Sequence, residues 1–71
     1  MTAISLKVKQ KGIIKEIRVT NQIQRQRLLD LGFLPNEEIM CYAKIKGNIA
    51  FEVKSSIFAL RSEMAEQIIL K

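Results

Sequence analysis

The alternation of apolar and polar residues over positions 39–53 is the strongest constraint on the fold. One parity of the first half is apolar and reads Ile39, Cys41, Ala43 and Ile45. Gly47-Asn48 then forms a good two-residue hairpin loop, because both residues tolerate the positive φ that such loops need. After it, three residues again point inward: Ile49, Phe51 and Val53. The pattern predicts a half-buried β-hairpin and a mainly β chain.

The N-terminal third adds two predicted strands. Ile4, Leu6 and Val8 alternate with polar residues, which predicts a short strand. A β-branched stretch follows Gly12, and there Ile14 breaks the parity kept by Ile13 and Ile17. We expect a bulge or burial on both sides at this point, since both are common in small barrels.

One helix is predicted between these strands and the hairpin. Asn21 is a suitable N-cap residue, and Gln24 then occupies the third helical position. The helix runs through Leu31, and Gly32 supplies the left-handed residue that ends it. Pro35-Asn36 then suits a type II turn, in which asparagine accepts a positive φ.

The C-terminal part predicts further short elements. Ser55-Ser56 marks a turn, residues 57–60 form a strand that is apolar on both sides, and Ser62 caps a helical turn. Residues 68–70 form the last strand. Five or six short strands and one inserted helix in 71 residues predict a small barrel, because a flat sheet would leave its edges exposed.

Composition limits the chemistry that the chain can perform. It has no histidine and only Cys41, so neither the usual zinc ligand sets nor a Ser-His or Cys-His nucleophile can be assembled. The lone cysteine and the absence of a long apolar run indicate a cytoplasmic chain. The net charge of +5 favours acidic partners without choosing among them. We therefore expect a binding protein with no catalytic residue, cofactor or metal site.

Three spaced motifs resemble the FeoA family. They are G-I-I-x-x-I from Gly12, R-x-R-L-L-D-L-G-F-x-P-N-x-x-I from Arg25, and A-L-R-x-x-x-A-x-x-I from Ala59. The motif positions that match best are Gly12, Arg27, Leu28, Leu31, Gly32, Pro35, Ile39, Leu60, Arg61, Ala65 and Ile68. Lys9, Asn36 and Ser55 stand where the family usually has glycine, and Ser55 is expected to need a different turn.

The resemblance implies a fold and a role. The fold is a small SH3-like barrel with an inserted α-helix and a short C-terminal helical turn, in one domain over residues 1–71. The role is that of a non-enzymatic accessory protein of bacterial ferrous-iron transport, which docks on the cytosolic part of the FeoB transporter. Related barrels occur as C-terminal domains of iron- or manganese-dependent repressors. Association of the chain into a weak homo-oligomer is left as an open alternative.

The helix and the loop after it hold more apolar residues than one helix face needs. On a helical wheel, one broad sector is expected to face the barrel, and it holds Ile23, Arg27, Leu28 and Leu31. The surplus residues are Leu29, Phe33 and Leu34, and two arginines lie beside them, Arg25 and Arg27. One interpretation buries the surplus under the end of the barrel. The other makes these five residues an exposed partner-binding patch.

The outward face of the predicted strand that begins at Ile39 allows two interpretations. It carries Met40, Tyr42, Lys44 and Lys46. The inserted helix covers this face in the first interpretation, because that helix has to pack on something. In the second, the face is a basic, aromatic surface, and the protein is a small barrel that binds nucleic acid.

Overall fold

The computed structural model describes residues 1–71, which form five strands, two α-helices and one 3₁₀ turn. The strands are β1 (Lys11–Ile17), β2 (Glu38–Ile45), β3 (Asn48–Val53), β4 (Ser56–Arg61) and β5 (Ile68–Leu70). The helices are α1 (Gln22–Leu31) and α2 (Ser62–Ala65), and the 3₁₀ turn is Ala3–Ser5. Neither the length nor the apolar character of any helix suits a membrane span.

The strands pair antiparallel in the order β4-β3-β2-β1-β5, and β1 holds the two halves of the sheet together. Its first residues, Lys11–Ile13, pair with β2, whereas Ile14–Ile17 pair with β5. The register shifts between Ile14 and Glu16, which confirms the predicted bulge. A bulge bends its strand and increases the local twist, so β1 passes from one half of the curved sheet to the other.

The prediction of a strand that contains Ile4, Leu6 and Val8 is wrong. Residues Ala3–Ser5 form a 3₁₀ turn, which is closed by bonds from the Ser5 amide and hydroxyl to the Thr2 carbonyl at 3.1 and 2.7 Å. Ala3 and Leu6 are three residues apart and both fully buried, as the period of a 3₁₀ helix allows. Val8, which the alternation placed on the same face as Leu6, is 50% exposed.

Two hairpin turns lie one residue earlier than predicted. The β2–β3 loop is Lys46-Gly47 and the β3–β4 loop is Lys54-Ser55, since Ile45 pairs with Asn48 and Val53 with Ser56. All four loop residues have positive φ, as type I′ turns require. Ser55 thus keeps a glycine-like backbone with φ 68°, and the expectation of a different turn there is wrong.

Sixteen apolar residues form the core, and no polar side chain is buried with them. Ile39, Cys41, Ile49, Phe51 and Val53 are among them, as predicted. Ile45 is 66% exposed instead, because the β2 register shifts between Cys41 and Ala43 and the inward parity changes beyond that point.

Helix α2 begins differently from the prediction. Arg61 occupies the N-cap position without a side-chain cap, and the Ser62 hydroxyl donates to the Gly47 carbonyl at 2.8 Å. Ser62 therefore ties α2 to the β2–β3 turn instead of capping the helix. β5 follows at Ile68–Leu70, as predicted.

The Pro35-Asn36 turn forms as predicted. Asn36 has φ 73°, and the Glu37 amide donates to the Leu34 carbonyl at 3.0 Å. The Asn36 amide also donates to the Ile14 carbonyl at 2.7 Å, so the turn is attached to the bulge in β1.

This conformation predicts the effect of two substitutions at Asn36. Asn36→Gly should leave stability unchanged or slightly higher, because glycine adopts positive φ without a steric cost. Asn36→Val should cost about 1 kcal/mol or more, since a β-branched residue is strained there. Thermal unfolding of both variants is the measurement, and equal midpoints would contradict the strain argument.

Candidate functional site

Helix α1 has well-formed ends that fix its position in the chain. The Asn21 side chain accepts a hydrogen bond from the Gln24 amide at 3.0 Å, which confirms the predicted cap. At the other end Gly32 has φ 107°, the Gly32 amide bonds to the Leu29 carbonyl, and the Phe33 amide to the Leu28 carbonyl. These two bonds form a Schellman motif, which ends the helix and reverses the chain.

Phe33 is a core residue, so the prediction that it is exposed is wrong. Its side chain is fully buried and meets the Phe51 ring edge-on, with 6.3 Å between centroids and an interplanar angle of 84°. The Phe58 ring lies 6.4 Å away. The left-handed turn at Gly32 directs the chain inward, where Phe33 and Leu28 are buried together in the core.

Most of α1 faces solvent. Leu28 is its only buried residue, Leu29 and Leu31 are half-buried, and the other seven residues are exposed. Ile23 is 78% exposed and Arg27 is exposed as well, so the prediction that these two residues lie on the barrel is wrong. The outer face of α1 consists of Ile23, Gln26, Arg27 and Asp30, which fall on one side at about 100° per residue.

The remaining predicted patch residues take different positions. Leu29 is half-buried and packs against the core, and Leu34 is half-buried in the turn after the helix. The Arg25 guanidinium donates to the carbonyl of Ile17 at the end of β1, which ties the helix to the barrel. The Arg27 side chain is exposed and takes part in no ion pair or side-chain hydrogen bond. Of the two arginines, Arg27 is therefore the one available to a partner.

The outward face of β2 remains open. Tyr42 is 44% exposed, and the predicted covering by the helix is therefore wrong for this residue. The Lys9 ammonium lies 5.1 Å from the centre of the Tyr42 ring, and the Lys44 ammonium donates to the Ile4 carbonyl at 3.3 Å. Lys9 occupies one face of the only tyrosine, which reduces the surface left for stacking a nucleic-acid base.

The chain brings together no group of three cysteine, aspartate or glutamate side chains that could share a metal ion. Cys41 is fully buried, as predicted for a small core residue. The exposed surfaces offer apolar and cationic side chains, which suit recognition of another macromolecule.

The model of the FeoA domain matches residues 1–71. The chain belongs to the FeoA family. This confirms the resemblance inferred from the three motifs. No curated protein matches the sequence.

Solved structures share the fold over the whole chain. FeoA of Stenotrophomonas maltophilia, solved with zinc and described as an SH3-domain protein, is 25% identical with a TM-score of 0.89, covering 100% of this chain and 89% of that one. Iron(II) transport protein A of Clostridium thermocellum is 23% identical with a TM-score of 0.88, and the match covers 44% of that chain. A manganese-dependent transcriptional repressor is 15% identical with a TM-score of 0.88 over 35% of its length. The predicted SH3-like barrel is therefore confirmed.

The three departures from the family pattern share one backbone feature. Lys9, Asn36 and Ser55 have φ values of 75°, 73° and 68°. All three residues thus have the left-handed backbone conformation that glycine adopts most easily.

The division between core and surface predicts unequal effects on either side of the turn. Phe33→Ala should lower the free energy of unfolding by about 3–5 kcal/mol, because it leaves a cavity next to Phe51. Leu34→Ala should cost much less, since Leu34 is only half-buried. Denaturant unfolding of both variants provides the measurement. If Leu34→Ala lowers the free energy of unfolding as much as Phe33→Ala does, Leu34 belongs to the core, and its assignment to the surface is wrong.

Proposed function

We propose that this chain is a non-enzymatic, cytoplasmic accessory protein of bacterial ferrous-iron transport that docks on the cytosolic part of a FeoB-type transporter. Family membership over residues 1–71 supports the transport role. The Stenotrophomonas relative is itself described as a candidate bacterial ferrous-iron transport activating factor. When the chain binds the transporter, it biases the transporter's conformational states only through contacts that differ between those states.

The exposed outer face of α1 is the observation that carries this proposal. An isoleucine with 78% of its surface exposed contributes little to the stability of the free protein. Next to it on the same face, Arg27 has no intramolecular partner. An apolar side chain beside a free arginine is a common composition for the centre of a protein interface.

The docking surface is therefore the outer face of α1 together with the half-buried residues at its end, Leu29 and Leu34. Arg25 orients the helix through its bond to the Ile17 carbonyl. Phe33 supports the surface from below, because it holds the end of α1 in the core.

Two charge substitutions on the outer face test this surface. Ile23→Asp and Arg27→Glu should each leave the circular dichroism spectrum unchanged and weaken binding to the isolated cytosolic domain of the cognate transporter by about tenfold or more. The readout is the dissociation constant from biolayer interferometry.

Val8→Asp is the matched control, since Val8 is also an exposed apolar residue, at 50%, but belongs to the N-terminal segment. It should bind like the unmodified protein. If both α1 variants retain full affinity, or if Val8→Asp loses as much, the surface lies elsewhere.

A further inference from the structure

The two edges of the sheet differ in how they are covered. At the β5 edge, Thr2 pairs with Ile69, and the Leu70 amide donates to the Met1 carbonyl at 2.8 Å. The N-terminal segment therefore covers this edge. β4 forms the other edge and pairs only with β3.

The register of β4 shows which main-chain groups remain free. In a two-residue hairpin the residues next to the loop form a hydrogen-bonded pair, which here is Val53 and Ser56. The alternation continues to the Ser62 amide, which donates to the Gly47 carbonyl at 2.9 Å. Ile57 and Ala59 have the opposite parity, so their N–H and C=O groups point away from β3 and make no other backbone bond.

β4 has little protection against pairing at this edge, because its one charged residue, Arg61, stands at the end of the strand. Its register against β3 is regular over all six residues, and the strand contains neither proline nor lysine. Bulges, prolines and lysines are the usual means of blocking an edge strand. Ile57 is also 48% exposed.

A groove of about 530 Å³ lies beside this edge, between β4, α1 and α2. Four large apolar side chains line it: Leu28, Leu31, Leu60 and Met64. Ala59 and Arg61 line it from β4 and Arg27 from α1, so the free edge and the groove adjoin each other. Its other lining residues are polar, namely Gln24, Glu63 and Gln67.

We propose that the β4 edge and this groove bind an extended peptide segment of a partner protein, which adds to the sheet as a further strand. Free N–H and C=O groups at two-residue spacing fit an extended main chain, and alternate side chains of that chain then enter the groove. The apolar lining selects an aliphatic or aromatic side chain at those positions.

The charged residues that line the groove indicate which charge the bound peptide carries. Neither Arg27 nor Arg61 takes part in any of the three ion pairs of the chain, so both can meet a carboxylate. Glu63 is the one acidic residue in the groove. A second copy of this chain carries the same net charge of +5 and is disfavoured for that reason. The favoured occupant is an extended segment with alternating apolar residues and at least one acidic residue.

Selection from a random dodecapeptide phage library on the immobilised full-length protein tests the proposal without assuming any particular partner. Selected peptides should alternate apolar residues and contain aspartate or glutamate. Fluorescence polarisation then gives their affinity for two variants. Ala59→Pro removes an outward N–H, which an edge strand tolerates, and should weaken binding by about tenfold or more. Ala59→Ser keeps the N–H and should change affinity less than about twofold.

If Ala59→Pro does not fold, a second test uses peptides in which one amide nitrogen at a time is methylated. Methylation should abolish binding at every second peptide position, where the amide faces β4, and should have little effect at the positions between. The proposal is overturned if no peptide is selected, or if the selected peptides tolerate both the proline and the methylation. It is also overturned if sedimentation shows that the protein dimerises through β4 and that Ala59→Pro makes it monomeric.

Discussion

The left-handed turn at Gly32 determines how this small barrel is divided into core and surface. It ends α1, reverses the chain and places Phe33 against Phe51 in a core of only sixteen residues. A chain of 71 residues has little apolar surface to bury, so a single buried phenylalanine contributes a large part of its stability. A side chain at Gly32 would be strained by its φ of 107°, and its Cβ would come within 3.2 Å of the Lys54 side chain.

The same turn leaves the rest of α1 free. Leu28 and Phe33 hold the end of the helix, and the Arg25 bond to the Ile17 carbonyl holds its middle. The outer face therefore makes no packing contact with the core, and we expect substitutions there to change binding to a partner and to leave stability nearly unchanged. The uncovered β4 edge has the same property, because its outward main-chain groups are unused in the fold. The two surfaces adjoin at Arg27, which lies on the outer face and also lines the groove.

Local signals predicted much of this arrangement. The Asn21 cap, the Gly32 end, the Asn36 turn and the β1 bulge each depend on neighbouring residues, and each formed as expected. The misplaced residues depended on tertiary context. Ile45 follows a register shift in β2 that no sequence pattern marks, and alternation at Ile4 and Leu6 concealed a 3₁₀ turn.

Prediction and structure differ most in how helix α1 packs on the barrel. The wheel grouped Ile23 and Arg27 with Leu28 and Leu31, although Ile23 is separated from the two leucines by the polar run Gln24–Arg27. Because α1 packs on the core through its C-terminal end only, Ile23 lies beyond the reach of the barrel. The apolar cluster of Leu28, Leu31 and Phe33 around the helix end was the signal for this arrangement, and it also explains why Phe33 is buried.

Amide chemical-shift mapping of the ¹⁵N-labelled protein, titrated with the cytosolic domain of the proposed FeoB-type partner, tests most directly which surface binds. We expect the largest changes at Ile23, Gln26 and Arg27, with the buried amides around Phe51 nearly unchanged. Changes concentrated at Met40, Tyr42 and Lys44, with α1 unaffected, would contradict the account.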